Sequence, residues 1–249
     1  MIGIFAALRR ELRPIKASLT ELNEFREAGV RFSVGHLNKR TIVLVQTGIG
    51  WDRAVSAAQI AADRFPLKLY VSTGFAAALQ ATIRVGDLVI GQKVFSFPSL
   101  DRKVYTCDGA FTQSARAVVK SFPVAAFSGS LITVRKIVSH VDEKKAIARE
   151  CHAIALDMET AAVATVAEQR RIPFMVVRAV TDVLEENLGV DVNLFLTEDG
   201  AVRWLQGLRY FLSHPAALRH LDRLRRQANL AAGSLGLFFR EFLPSLSLN

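Results

Sequence analysis

Cysteine is scarce in this chain. Only Cys107 and Cys151 occur among 249 residues, with no metal-ligand spacing and too few for a disulfide framework, which suits a reduced, cytoplasmic setting. Long apolar runs are missing as well. No stretch approaches the roughly 18 uninterrupted apolar residues that would span a bilayer. The apolar stretch at residues 1–8 is too short for a secretory signal, and its charges, Arg9 and Arg10, follow it instead of preceding it. Internal repeats and low-complexity segments are absent too, which argues against repeat architectures and disordered tracts.

What is present describes a folded globular protein. Hydrophobic residues make up 51% of the chain and charged residues 22%, well outside the range of disordered sequences. The length suffices for one large α/β domain with a substantial core. A net charge of +9 points to anionic partners such as phosphate, nucleic acid or lipid head groups. Much of that excess sits near the C-terminus, in Arg203, Arg209, Arg219, Arg223, Arg225, Arg226 and Arg240 against Asp222 and Glu241.

Short apolar runs alternate with helical patterns. Residues 2–7, 41–46, 67–72, 85–90, 130–133 and 174–180 read as strands, the third ending at Thr73-Gly74. Helical spacing follows at Ala54, Val55, Ala58, Ala61, Ala62 and Phe65, and again over 160–169. This alternation predicts a three-layer α/β/α domain around a mixed central sheet, with ligands beyond the carboxyl ends of its strands. That domain is assigned to residues 1–214. Residues 215–249 form a separate tail that opens at Pro215. There Leu218, Leu221, Leu224, Ala228, Ala231, Leu235, Phe238 and Phe242 make an apolar stripe beside basic Arg219, Arg223 and Arg226. The pattern is an amphipathic helix whose stripe packs on protein or lies in a membrane interface. Phe238, Phe239 and Phe242 cluster with leucines and are not interleaved with the arginines, so no nucleic-acid partner is expected.

Candidate chemistry lies at the strand exits. Asp182 ends a buried strand, where a carboxyl is partly desolvated and becomes a better proton donor; a turn-forming loop aspartate would look the same. Arg178, inside an apolar strand, must meet a carboxylate or an anionic ligand, and a structural ion pair or a site role would satisfy it equally. Asp157 is placed to cap a helix, whereas Glu159 could either support that helix or face a ligand. Glu11, alone in a basic stretch, reads on its own as a solvated helix residue. Gly48, Gly50 and Gly74 are turn glycines or weak phosphate signals.

Taken in order, these segments resemble the purine nucleoside phosphorylase and methylthioadenosine/S-adenosylhomocysteine nucleosidase family. The resemblance rests on residues 2–7 leading to Glu11, Thr47-Gly48-Ile49-Gly50, Val85-Gly86-Asp87-Leu88-Val89, Leu156-Asp157-Met158-Glu159-Thr160-Ala161-Ala162 and Val177-Arg178-Ala179-Val180-Thr181-Asp182. It implies cleavage of the N-glycosidic bond of an adenine-type nucleoside, with Asp182 protonating the purine and Glu159 binding the ribose. Glu11 and Arg178 would hold the nucleophile, and Met158, Asp157, Gly48, Ile49, Gly50, Gly74 and Phe75 would line the substrate. No metal or organic cofactor is implied, and a homodimer is.

Two departures bear on substrate and nucleophile. Phe75 stands where the family carries a serine that helps hold the nucleophile, and Ser72 where phosphorolytic members tend to carry an arginine. Hydrolysis is therefore expected, with phosphorolysis or non-catalytic nucleoside binding as alternatives. The tail and the missing serine are similar to the hopanoid-associated phosphorylase branch. That likeness implies an adenosyl lipid such as adenosylhopane as a second candidate substrate, and peripheral contact of residues 215–249 with the inner membrane surface.

Overall fold

The computed structural model describes residues 1–38, 40–97, 103–186 and 217–246, the last segment by backbone alone as far as 221. Strand β1 (Ile2–Ala6), buried throughout, runs parallel to β4 (Arg40–Gln46) on one side and to β5 (Leu69–Ala78) on the other. β5 is parallel in turn to β10 (Phe174–Asp182). Runs such as Ile42-Val43-Leu44-Val45 and Met175-Val176-Val177 show no apolar–polar alternation because both faces of these strands are covered.

Beyond β4 the sheet continues antiparallel through β3 (Val30–Leu37) to an edge strand, β2 (Thr20–Glu27). Neither was anticipated from the sequence. β2 is polar and exposed nearly throughout, so it carries no period-2 signal. At the other end, β10 lies antiparallel to β6 (Leu88–Ser96), and β6 parallel to β8 (Ala126–Thr133). β8 is parallel to β9 (Ala155–Asp157), which returns antiparallel to β5. These strands close into a ring on one side of the mixed sheet, with β7 (Val104–Thr106) attached to β6.

Among the strand limits that differ from expectation, two are set at glycines. β5 does not end at Thr73-Gly74 but runs on to Ala78, because Gly74 takes φ +135 within the strand and Ala77 and Ala78 then pair with β9. β6 begins at Leu88 and not at residue 85. Gly86 turns the chain at φ +91, and the Asp87 carboxylate accepts the Arg84 N–H before pairing starts.

Helices cover both faces. α2 (Trp51–Arg64) and α5 (Thr160–Gln169) lie on one, where Ala54, Ala57, Ala58 and Ala61 share a core with Ala161, Val163 and Ala164. Such small residues let helices approach each other and the sheet closely. On the other face α1 (Arg9–Lys16), α3 (Gly109–Val118) and α6 (Ala217–Ser245) enclose Leu12, Ile15, Ala115, Leu235, Phe238 and Phe242. α4 (Val141–Cys151) packs Ile147 against Ile132 and Leu156 at the ring.

Of the two partners open to the C-terminal apolar stripe, Ala231, Leu235, Phe238 and Phe242 meet protein: all four are buried on the sheet. A Cβ on Gly236 would come within 2.6 Å of Pro14, so the helix crosses α1 closely. Arg40 donates to the carbonyls of Leu243, Pro244 and Leu246, groups that a helix end otherwise leaves unsatisfied. No described helix is long and apolar enough to cross a membrane. Asp199, Gly200, Arg203, Arg209, Pro215 and the boundary at 214/215 lie outside the described residues, as do the side chains of Leu218, Arg219 and Leu221.

Candidate active site

Parallel strands β1, β4, β5 and β10 present their carboxyl ends on one edge, and the acidic residues gather there. Glu11 is the third residue of α1. One carboxylate oxygen reaches back 2.6 Å to the Leu8 N–H, and the other accepts the Phe75 N–H at 2.8 Å. The first contact caps a helix that has no Ser, Thr, Asp or Asn before it. Far from being solvated, Glu11 is 3% exposed. Burial raises its pKa against the opposing pull of Arg178 and the two backbone donors.

Gly74 explains how acid and guanidinium can share this place. A Cβ there would sit 2.5 Å from Nη1 of Arg178 and 2.6 Å from Oε1 of Glu11. The next residue, Phe75, turns its partly buried ring to the α1 face of the sheet and serves Glu11 only through its backbone.

Arg178 is enclosed at 1% exposure. Its Nε lies 2.9 Å from Asp157 Oδ2, Nη1 donates to the Thr73 carbonyl at 2.7 Å, and Nη2 donates to Thr160 Oγ1 at 2.6 Å and Ser72 Oγ at 3.0 Å. Asp157 is committed just as fully. Its Oδ1 accepts from Thr133 Oγ1 at 2.8 Å, from the Thr160 N–H at 3.1 Å and from the Glu159 N–H at 3.2 Å, and the Thr160 hydroxyl bonds to Oδ2. It thus anchors the start of α5 from just outside the helix while neutralising Arg178.

Glu159 is the residue at the N-terminal edge of α5, and its Oε1 accepts the Gly50 N–H at 2.8 Å. This draws the turn Gly48-Ile49-Gly50, with φ +82 and +96 at its glycines, onto the same edge. Burial pushes the Glu159 pKa up to about 7; Arg178 opposes the rise, and the nearby charges of Asp157 and Glu11 add to it. Met158 is partly buried against the cluster around Ile132 and Leu156.

Asp182 lies on β10, beyond a register shift between Val180 and Asp182, the kind of bulge that re-aims a side chain. Its Oδ1 is 3.0 Å from Nζ of Lys144, a lysine with no exposed surface that also donates to the carbonyls of Val183 at 2.7 Å and Glu186 at 2.6 Å. Burial pushes the Asp182 pKa up to about 6, with the lysine's charge opposing. The Glu186 carboxylate is held in turn by Arg223 and Gln227 of α6.

Sequence reasoning missed Lys144. A signal was available: it falls in the three-residue series Val141, Lys144, Ile147 on the inward side of α4, where a lysine must find partners. The edge therefore carries two charge clusters. Glu11, Asp157, Glu159 and Arg178 influence one another, while Asp182 answers to Lys144, Glu186 and Arg223. Three buried carboxyls with raised pKa values suit proton transfer near neutral pH.

Known proteins show the same arrangement of chain. The model of the phosphorylase superfamily matches residues 1–206. A 5′-methylthioadenosine/S-adenosylhomocysteine nucleosidase from Staphylococcus haemolyticus is 30% identical over 213 residues, covering 80% of this chain and 93% of its own. The corresponding Staphylococcus epidermidis protein is 28% identical over 211 residues, or 79% and 92% of the two chains. In fold, the chain is similar to the Neisseria meningitidis nucleosidase of that name in complex with methylthio-immucillin-A, at a TM-score of 0.80 and 19% identity over 98% of this chain and 99% of that one. The futalosine hydrolase of Helicobacter pylori superposes with a TM-score of 0.77 at 18% identity, covering 98% and 97%. Likeness along nearly the whole catalytic sheet, at that identity to curated relatives, places this chain in the phosphorylase superfamily, among the 5′-methylthioadenosine/S-adenosylhomocysteine nucleosidases.

Proposed function

We propose that the protein hydrolyses the N-glycosidic bond of an adenine nucleoside of the methylthioadenosine or S-adenosylhomocysteine type, releasing adenine and the free sugar. Asp182 donates a proton to the imidazole nitrogen of the purine as the bond breaks and its electron pair passes to the base. Glu159 accepts hydrogen bonds from the ribose hydroxyls, in a position where it now accepts the Gly50 N–H. Positive charge develops at the anomeric carbon and is stabilised by the buried carboxylates. Glu11 takes a proton from the attacking water, held where Glu11 and Arg178 converge over Gly74.

The balance of buried charge carries the choice of water over phosphate. Among the described residues, the carboxyls of Glu11, Asp157, Glu159 and Asp182 face two buried cations, Arg178 and Lys144, each already paired with an acid. Among the described residues, a phosphate dianion would meet no buried cation at this edge that is not already paired with an acid. Ser72, 1% exposed and bonded to Arg178, adds none.

The test is incubation with methylthioadenosine and with S-adenosylhomocysteine, with and without phosphate, followed by quantification of adenine and the sugar product. Adenine with free sugar in both conditions is expected. Formation of the sugar 1-phosphate, only when phosphate is present, would overturn hydrolysis. No adenine from either compound would move the substrate to another adenosyl compound, with an adenosyl lipid tried next, and tight binding without turnover of any of them would make this a nucleoside-binding protein.

A further inference from the structure

We infer that Lys144 is a positioning residue for the acid step: its ammonium holds Oδ1 of Asp182, leaves Oδ2 as the oxygen that carries the proton, and stabilises the carboxylate left when that proton has gone to the base. The inference rests on the proposed role of Asp182 as the acid.

The geometry is that of a fixed charge. Lys144 has three N–H groups and three acceptors within 3.0 Å: Asp182 Oδ1 and the carbonyls of Val183 and Glu186. It has no exposed surface, so its head group cannot reach water in this arrangement. Lys144 is also the one hydrogen-bond partner that the described residues give the Asp182 side chain. Among the described residues, Oδ2 is therefore the oxygen open to a ligand. When the O–H at Oδ2 breaks, its proton binds the purine nitrogen, the glycosidic pair moves to the base, and the new carboxylate already faces a cation that need not move.

Among the described residues, no other charged group duplicates this. Glu186, from the loop after β10, and Arg223, from α6, act on Asp182 with opposite signs and are paired with each other at 2.5 Å. Lys144, on α4, is the charge in contact. Burial favours the protonated acid and Lys144 favours its ionisation, so removing the lysine leaves a carboxyl that is protonated over a wider pH range but gives up its proton less readily.

The experiment is kcat/KM against pH, with methylthioadenosine as probe, for the wild type and for Lys144→Gln, Lys144→Met and Lys144→Arg. Gln and Met should carry the alkaline limb upward by about 1–3 pH units and lower kcat by about tenfold or more. Arg should return the limb toward the wild-type position. Limbs that stay in place in folded Gln and Met variants would overturn the inference, since a merely structural lysine lowers the amount of active protein without moving the profile. If neither variant folds, the wild type decides. In protein carrying nitrogen-15 lysine, the Lys144 Nζ resonance should shift across the pH range in which Asp182 ionises and lose that shift in Asp182→Asn; a resonance indifferent to Asp182 would overturn the inference. Full activity of Asp182→Asn is a different failure, and it would remove the acid role itself.

Discussion

Strand β10 carries two buried ion pairs four residues apart, and they are built differently. Arg178 and Asp157 are each almost wholly enclosed, and hydroxyls, backbone N–H groups and a carbonyl surround both partners. Asp182 and Lys144 are also buried, but only the lysine has its hydrogen-bonding groups filled, while the acid keeps one oxygen unbonded by the described residues. The first pair, hydrogen-bonded to its surroundings through both partners, fixes structure: it ties β10 to β5 and to the start of α5. A pair with one position open leaves a group that can react. The distinction cannot be drawn from charge or burial, which the two pairs share, and follows from counting partners.

The largest expected effect breaks the open pair. Asp182→Asn should lower kcat for methylthioadenosine by roughly 10²–10⁴-fold with little change in substrate affinity, read from adenine release and from calorimetric binding. The closed pair should answer in stability. Arg178→Met leaves Asp157 buried without its cation and should cost about 3–5 kcal/mol in urea unfolding, in addition to any loss of activity; a cost near zero would mean that the pair contributes nothing to the fold.

Glu159→Gln should do the reverse. The folded-state pKa of Glu159, about 7, lies above its ordinary 4.5. The native state therefore holds more protons between those values, and stability falls as pH rises through that window. At pH 8 the glutamine variant, which can still accept the Gly50 N–H, should be more stable by on the order of 1–3 kcal/mol while losing turnover. The advantage should disappear near pH 4, and an advantage independent of pH would point to another cause. Phe75→Ser should have the smallest effect on the nucleophile. The Glu11 contact is made by the backbone, so kcat should change by less than about tenfold, or about 1.4 kcal/mol. A larger gain in activity would show that the missing hydroxyl had been limiting.

Much of the fold was readable in advance because burial leaves a local trace. Continuous apolar runs marked β1, β4 and β10, and alanines at helical spacing marked α2. β2 escaped because an edge strand has little apolar face to show, and β5 appeared too short because a glycine within a strand looks like its end. At the site, Arg178 announced a need for a partner without naming it. Glu11 looked solvated because its neighbours Arg9 and Arg10 are exposed, although its own side chain points inward.

By itself the sequence determined where chain would be buried, which residues would stand at strand exits, and that a lone arginine in an apolar strand had to be neutralised. Periodicity and side-chain chemistry act over a few residues and survive in one dimension. Only the tertiary structure decided that Asp157 would neutralise Arg178, that Lys144 would reach Asp182, that Gly74 would make room for two charged groups, and that the described apolar face of α6 would close the sheet. Each of these joins segments far apart in the chain. A buried charge specifies what it needs, but packing selects which distant group supplies it.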